Sequence, residues 1–93
     1  MPANPRVGHL EALARALAER YPIIRTRLDL TSPGHPATLR TSHGETFENI
    51  ECNYTGDGWY YRWSFADNPI GPVSDPERAA WAIANVLGVR GRM

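Results

Sequence analysis

Ninety-three residues, 42% hydrophobic and 22% charged, are expected to form a single domain over 1–93 and leave no compositional case for disorder. Ten arginines balance ten acidic residues, so the overall field favours neither nucleic acid nor an anionic membrane. The single cysteine, Cys52, excludes an intrachain disulfide.

Lysine is absent, and every basic residue is arginine. Arginine's planar fork suits carboxylate and phosphate. The same bias accompanies alanine- and glycine-rich chains, so by itself it marks no site. The sequence opens without a basic-then-apolar leader and holds no apolar run near the ~18 residues of a membrane span. The expectation is a cytoplasmic protein, in which the Asn53-Tyr54-Thr55 sequon is a chance match.

Met1 to Pro5 reads as an arm. A helix follows, with Leu10, Leu13, Ala14, Leu17 and Tyr21 on one stripe and Glu11, Arg15 and Glu19 opposite. Pro22 stops it. From Ile23 to Thr31 the period changes to two. Ile24, Thr26, Leu28 and Leu30 alternate with Arg25, Arg27, Asp29 and Thr31, as in a half-buried strand. Ser32-Pro33-Gly34-His35-Pro36 is a loop, Ala37 to Ser42 a short strand with Leu39 inward, and His43-Gly44 a turn.

The next hairpin has a register that can be read directly. With Gly56 and Asp57 as the central turn pair, Tyr54 faces Trp59, Cys52 faces Tyr61 and Ile50 faces Trp63. All the apolar residues then share one face. Asn53–Tyr60, Glu51–Arg62 and Asn49–Ser64 occupy the other, and a slip of one residue would destroy the segregation. Ala66 to Val73, with two prolines and a glycine, reads as a crossing loop. Ser74 with Glu77 forms a capping box, while Asp75 before Pro76 suits an N-cap. Ala79, Ala80, Ile83, Val86 and Leu87 form the inward stripe of a second helix, and Gly88-Val89 reads as a Schellman stop. Residues 90–93 form a tail.

The expected fold is α+β: a two-layer sandwich of helix, four-stranded antiparallel meander and helix. Both helices lie on the sheet face bearing Leu28, Leu30, Leu39, Ile50, Cys52, Trp59, Tyr61, Trp63 and Phe65. The stretches Gly56-Asp57-Gly58-Trp59-Tyr60-Tyr61-Arg62-Trp63, Pro69-Ile70-Gly71-Pro72-Val73, Asp75-Pro76-Glu77-Arg78-Ala79-Ala80 and Ala82-Ile83-Ala84-Asn85-Val86-Leu87-Gly88 resemble small actinobacterial proteins of uncharacterised activity. In those a tryptophan-rich hairpin sits between two helices. The layout also resembles the secretion-chaperone-like fold, which implies partner binding; fold alone implies no chemistry.

No catalytic constellation is visible. His9, His35 and His43 lack ligand spacing to one another or to Cys52, and Cys52 falls on an inward face as a small apolar residue. No phosphate-binding glycine loop or nucleophile elbow occurs, so neither cofactor nor metal is expected. Trp59, Tyr61, Trp63 and Phe65 read as core, with a small-ligand pocket beneath Trp59 and Trp63 as an alternative.

Two surfaces remain. Parity puts Arg25, Arg27, Arg40 and Arg62 on the outer sheet face with Tyr60. There Asp29 is expected to neutralise Arg40 and Glu51 to pair with Arg62. A basic sheet bearing an aromatic is the logic of single-strand nucleic-acid platforms, though one tyrosine is a thin stacking surface. On the second helix Trp81 points about 160° from the inward stripe, flanked by Arg78 and Asn85. Tryptophan is enriched in interface hot spots. The sequence therefore reads as a non-catalytic module that binds a protein partner or itself as a homodimer, through Trp81 and part of the arginine face. A nucleic-acid-binding module is the alternative.

Overall fold

The computed structural model describes residues 5–30, 36–64, 66 and 68–89. It is an α+β fold of two helices and a five-stranded antiparallel sheet: α1 (Pro5–Arg20), β1 (Arg25–Asp29), β2 (Thr38–His43), β3 (Thr46–Thr55), β4 (Gly58–Trp63), β5 (Pro69–Pro72) and α2 (Pro76–Val86). The helix α1 takes in Pro5, which was expected in the arm. A proline fits a first helical position because no intrahelical acceptor awaits its missing N–H. Leu10, Leu13, Ala16 and Leu17 are its buried side chains, while Ala14 and Tyr21 pack at the core's margin.

The strands run in sequence order, β1-β2-β3-β4-β5. In the β3–β4 hairpin Ile50 faces Trp63, Glu51 faces Arg62, Cys52 faces Tyr61, Asn53 faces Tyr60 and Tyr54 faces Trp59, as the segregation of apolar residues requires. The earlier hairpin turns between His43 and Thr46, where Gly44 takes a φ of 64° that favours glycine. Thr41 is fully buried on β2, and its hydroxyl is satisfied by donating to the Glu48 carbonyl at 3.0 Å.

The four-stranded meander needs correction. Residues expected in a crossing loop form β5, which pairs with β4 through Tyr60–Pro72, Tyr61–Gly71 and Arg62–Pro69 across an irregularity at Tyr61/Arg62. Proline is tolerated there because β5 is an edge strand and a bulged register spares ladder donors. Val73 N–H donates to the Trp59 carbonyl at 3.1 Å, extending the contact beyond the strand.

Of the two helix-start signals, the fold uses Asp75. Its carboxylate accepts from Arg78 N–H at 3.2 Å, and Pro76 occupies the first turn. At the other end Gly88, at φ 83°, donates to the Asn85 carbonyl, and Val89 donates to that of Ala84 at 2.8 Å. That is the Schellman pattern, with Val89 packed on the core.

One cluster of buried side chains joins Leu10, Leu13 and Leu17 of α1 with Leu39, Ile50, Cys52 and Tyr61 of the sheet and Ala79, Ala80, Ile83 and Ala84 of α2. Two expected members differ. Val86 is 48% exposed, and Ala84, two residues earlier and one turn from Ala80, is buried in the stripe instead. Leu30 is 61% exposed because β1 ends at Asp29 and strand parity no longer aims it inward. Phe65 lies outside the described residues, as do the arm residues 1–4, the loop residues 31–35 and the tail 90–93. An exposed salt bridge, Arg20 to Glu77 at 2.9 Å, links the two helices and contributes little. No described helix is long and apolar enough to cross a membrane.

Candidate functional site

The outer-parity positions of the sheet divide into two ends. At one end β3, β4 and β5 bring together Asn53, Tyr60, Arg62 and Pro69. Arg62 is held there. Its guanidinium lies 3.8 Å from the Glu51 carboxylate and donates to the Ala66 carbonyl at 3.3 Å. With the Asn53 amide in its hydrogen-bonding orientation, the side-chain oxygen accepts from Arg62 Nη1 at 3.1 Å. Tyr60 is half-buried between Asn53 and Pro72. Arg62 therefore belongs to a structural network, as its expected pairing with Glu51 implied.

At the other end the β1–β2 register sets Arg27 directly opposite Arg40, and Arg25 opposite Ser42. The expected neutralisation of Arg40 by Asp29 is not the direct pairing, because Asp29 faces Thr38. The Arg40 guanidinium instead lies 4.0 Å from the centroid of the Phe47 ring, a cation–π contact on β3. Phe47 is 48% exposed and was not singled out from the sequence. Its parity with Asn49 and Glu51 was the available clue. Among the described residues no carboxylate lies within salt-bridge distance of Arg25, Arg27 or Arg40.

Like charges directly opposite on adjacent strands destabilise the pair. Arg27→Thr, which keeps a strand-forming side chain, is expected to raise stability by about 0.2–1 kcal/mol in low salt. The gain should shrink as added salt screens the repulsion. Urea midpoints at two ionic strengths measure this, and an unchanged low-salt midpoint would mean the two guanidinium groups splay apart at no cost.

The second surface is α2. Trp81 is 61% exposed and its ring makes no aromatic or cation contact among the described residues. Asn85 lies one turn on and donates to the Trp81 carbonyl at 3.2 Å, and the exposed Arg78 lies one turn back. The indole does not lie flat on the chain that precedes α2. Pro69–Pro72 form β5, which packs against α2, while the indole stays largely in solvent. Val86 is also exposed, but it lies about 140° round the helix from Trp81 and flanks the buried stripe rather than this face.

Trp59 and Trp63 are half-buried against the core. Arg6 lies 5.5 Å from the Trp59 ring, His9 5.4 Å and Tyr54 5.7 Å edge-on, so the indole has neighbours from α1 and its own hairpin. A shallow recess of about 190 Å³ lined by Trp59, Tyr60, Pro72 and Val73 among others borders Trp59 but not Trp63, so it is not the expected pocket beneath both indoles. Arg6 also donates from Nε to the Cys52 carbonyl at 2.8 Å.

His43 Nδ1 lies 3.4 Å from the Leu87 carbonyl, and His35 falls outside the described residues. No group of three potential metal ligands occurs among the described residues. Cys52 is fully buried, and burial pushes its thiol up to about 11 against a partial lowering by Arg6. A thiol so held is neutral near pH 7, which suits packing rather than nucleophilic attack. No protein-family model, curated protein or solved structure matches the chain.

Proposed function

We propose that the chain is a non-catalytic interaction module whose docking element is the exposed face of α2, with a second copy of itself as the partner. The observation that carries this reading is Trp81, a large amphipathic ring left 61% exposed on an otherwise well-capped helix. Surface tryptophan is costly in apolar exposure and common at interface centres.

A closed two-fold pair is the simplest assembly. An antiparallel α2–α2 contact centred between Trp81 and Ala82 sets each indole over the small Ala82 of the other copy. The same operation places Arg78 beside Asn85, so no like charges meet at the seam. Tyr61 hydrogen-bonded to α1 and the core residues of α2 support a placement of both helices on one sheet face. In that arrangement α2 offers its outer side to a partner while the arginine-bearing face stays separate.

One three-turn helix supplies a contact at the low end of interface size, so the association is weak and concentration-dependent. Light scattering across a concentration series is expected to show a monomer–dimer equilibrium in the wild type. Trp81→Ala and Ala82→Arg should each abolish it while leaving the circular dichroism spectrum unchanged. A wild type that stays monomeric at the highest soluble concentration would refute the self-association.

A further inference from the structure

We propose that Arg25, Arg27, Arg40 and the groove beside Phe47 form a binding site for single-stranded nucleic acid, phosphates on the arginines and a base against the ring. The sheet register builds the cationic part. Arg27 faces Arg40 across β1 and β2, and Arg25 lies two residues along β1, opposite Ser42. Together with Thr26 they line an open concavity of about 540 Å³. Three guanidinium groups meet here without a carboxylate partner among the described residues. A directly opposed arginine pair is unfavourable in isolation and is relieved by an anion bridging the two forks.

The aromatic part adjoins it. Ser42 faces Phe47 on β3, so the cations and the ring share one row of the sheet. Phe47 also lines a second concavity of about 300 Å³ with Glu48, Asn49 and Ser64. The Ser64 hydroxyl is buried there with no hydrogen-bond partner among the described residues. The Asn49 side chain likewise makes none. A nucleobase offers a π-face to the exposed part of Phe47 and a donor and acceptor to Asn49, while its phosphates reach the arginines; the buried Ser64 hydroxyl is out of its reach. An acidic peptide would use the arginines and leave the exposed part of the ring and the Asn49 amide without a ligand of their own. That difference decides between the two anions.

The site excludes Arg62, already engaged by Glu51 and the Ala66 carbonyl. It also excludes Tyr60, which faces Asn53 and Pro72 at the other end of the sheet. With zero net charge, attraction rests on three local charges, so binding is modest and depends steeply on salt.

Fluorescence anisotropy of a labelled single strand of about 12 nucleotides, as RNA and as DNA, tests the site on the full chain. Three phosphate contacts predict a slope of log K against log salt of about −2, a loss of about 20-fold between 50 and 200 mM salt. Arg27→Gln with Arg40→Gln should reduce that slope to about −0.7. Phe47→Ala should weaken binding without changing the slope, because a ring releases no counterions. Circular dichroism of each variant establishes that the fold is retained.

Trp81→Ala should bind as the wild type does, which separates this site from self-association through α2. No binding at 50 mM salt, or a slope unchanged in the double arginine variant, would overturn the proposal. Equal affinity for a polyglutamate peptide of matched charge would assign the arginines to an acidic protein segment instead.

Discussion

Tyr61→Ala is expected to lower stability by about 3–5 kcal/mol, a large share of the ~5–15 kcal/mol available to a domain. Among the described residues Tyr61 is the largest fully buried side chain, and it sits on β4 among core residues drawn from both helices and from β2 and β3. Its hydroxyl donates to the His9 carbonyl of α1 at 2.6 Å, tying the sheet to the first helix. Tyr61→Phe keeps the ring and loses this bond, with an expected cost of about 0.5–1.5 kcal/mol. Urea unfolding of the two variants separates ring packing from the hydrogen bond. Equal losses would place the energy in the hydroxyl rather than in the buried ring.

The centrality of Tyr61 was legible before any coordinates. Two strands of strict alternation flank a two-residue turn, and only one register sends Ile50, Cys52, Tyr61 and Trp63 to the same side. Trp81 was legible for a similar reason: the periodicity of α2 leaves a single large apolar residue pointing away from Ala79, Ile83 and Leu87. The fifth strand was not. Pro69 and Pro72 carry no alternation and look like loop chemistry, yet an edge position lets both sit in a strand.

The Arg27–Arg40 opposition was hidden for a different reason. The β1–β2 register depends on a long connection through Ser32-Pro33-Gly34-His35-Pro36, whose length fixes no turn type. Strand parity placed the arginines on one face but carried no register, so Asp29 was expected opposite Arg40 where Arg27 stands. Leu30 and Val86 mark the same limit at element ends. Strand parity stops where the strand stops, and an apolar stripe wider than the contact leaves one member outside.

Raising the pH from 9 to 11 is expected to destabilise the fold through Cys52. Burial lifts the folded-state thiol pKa from 9.0 to about 11, against a smaller opposing effect of the Arg6 guanidinium. Below pH 9 the thiol is protonated in both states, and its full contribution to stability is present. Between pH 9 and about 11 the unfolded chain gives up a proton that the folded chain keeps, so each pH unit removes about 1.4 kcal/mol. Above the folded value both states are ionised and the loss levels off. Tyr61 acts in the same direction, because burial and the neighbouring Cys52 raise its phenol above 10.0, and its loss begins where the unfolded tyrosine starts to ionise. Urea midpoints at pH 8, 9, 10 and 11 measure the combined fall. Cys52→Ala should flatten the part that begins near pH 9 and leave the tyrosine part above it, and a profile identical to wild type would show that the thiol is not the titrating group.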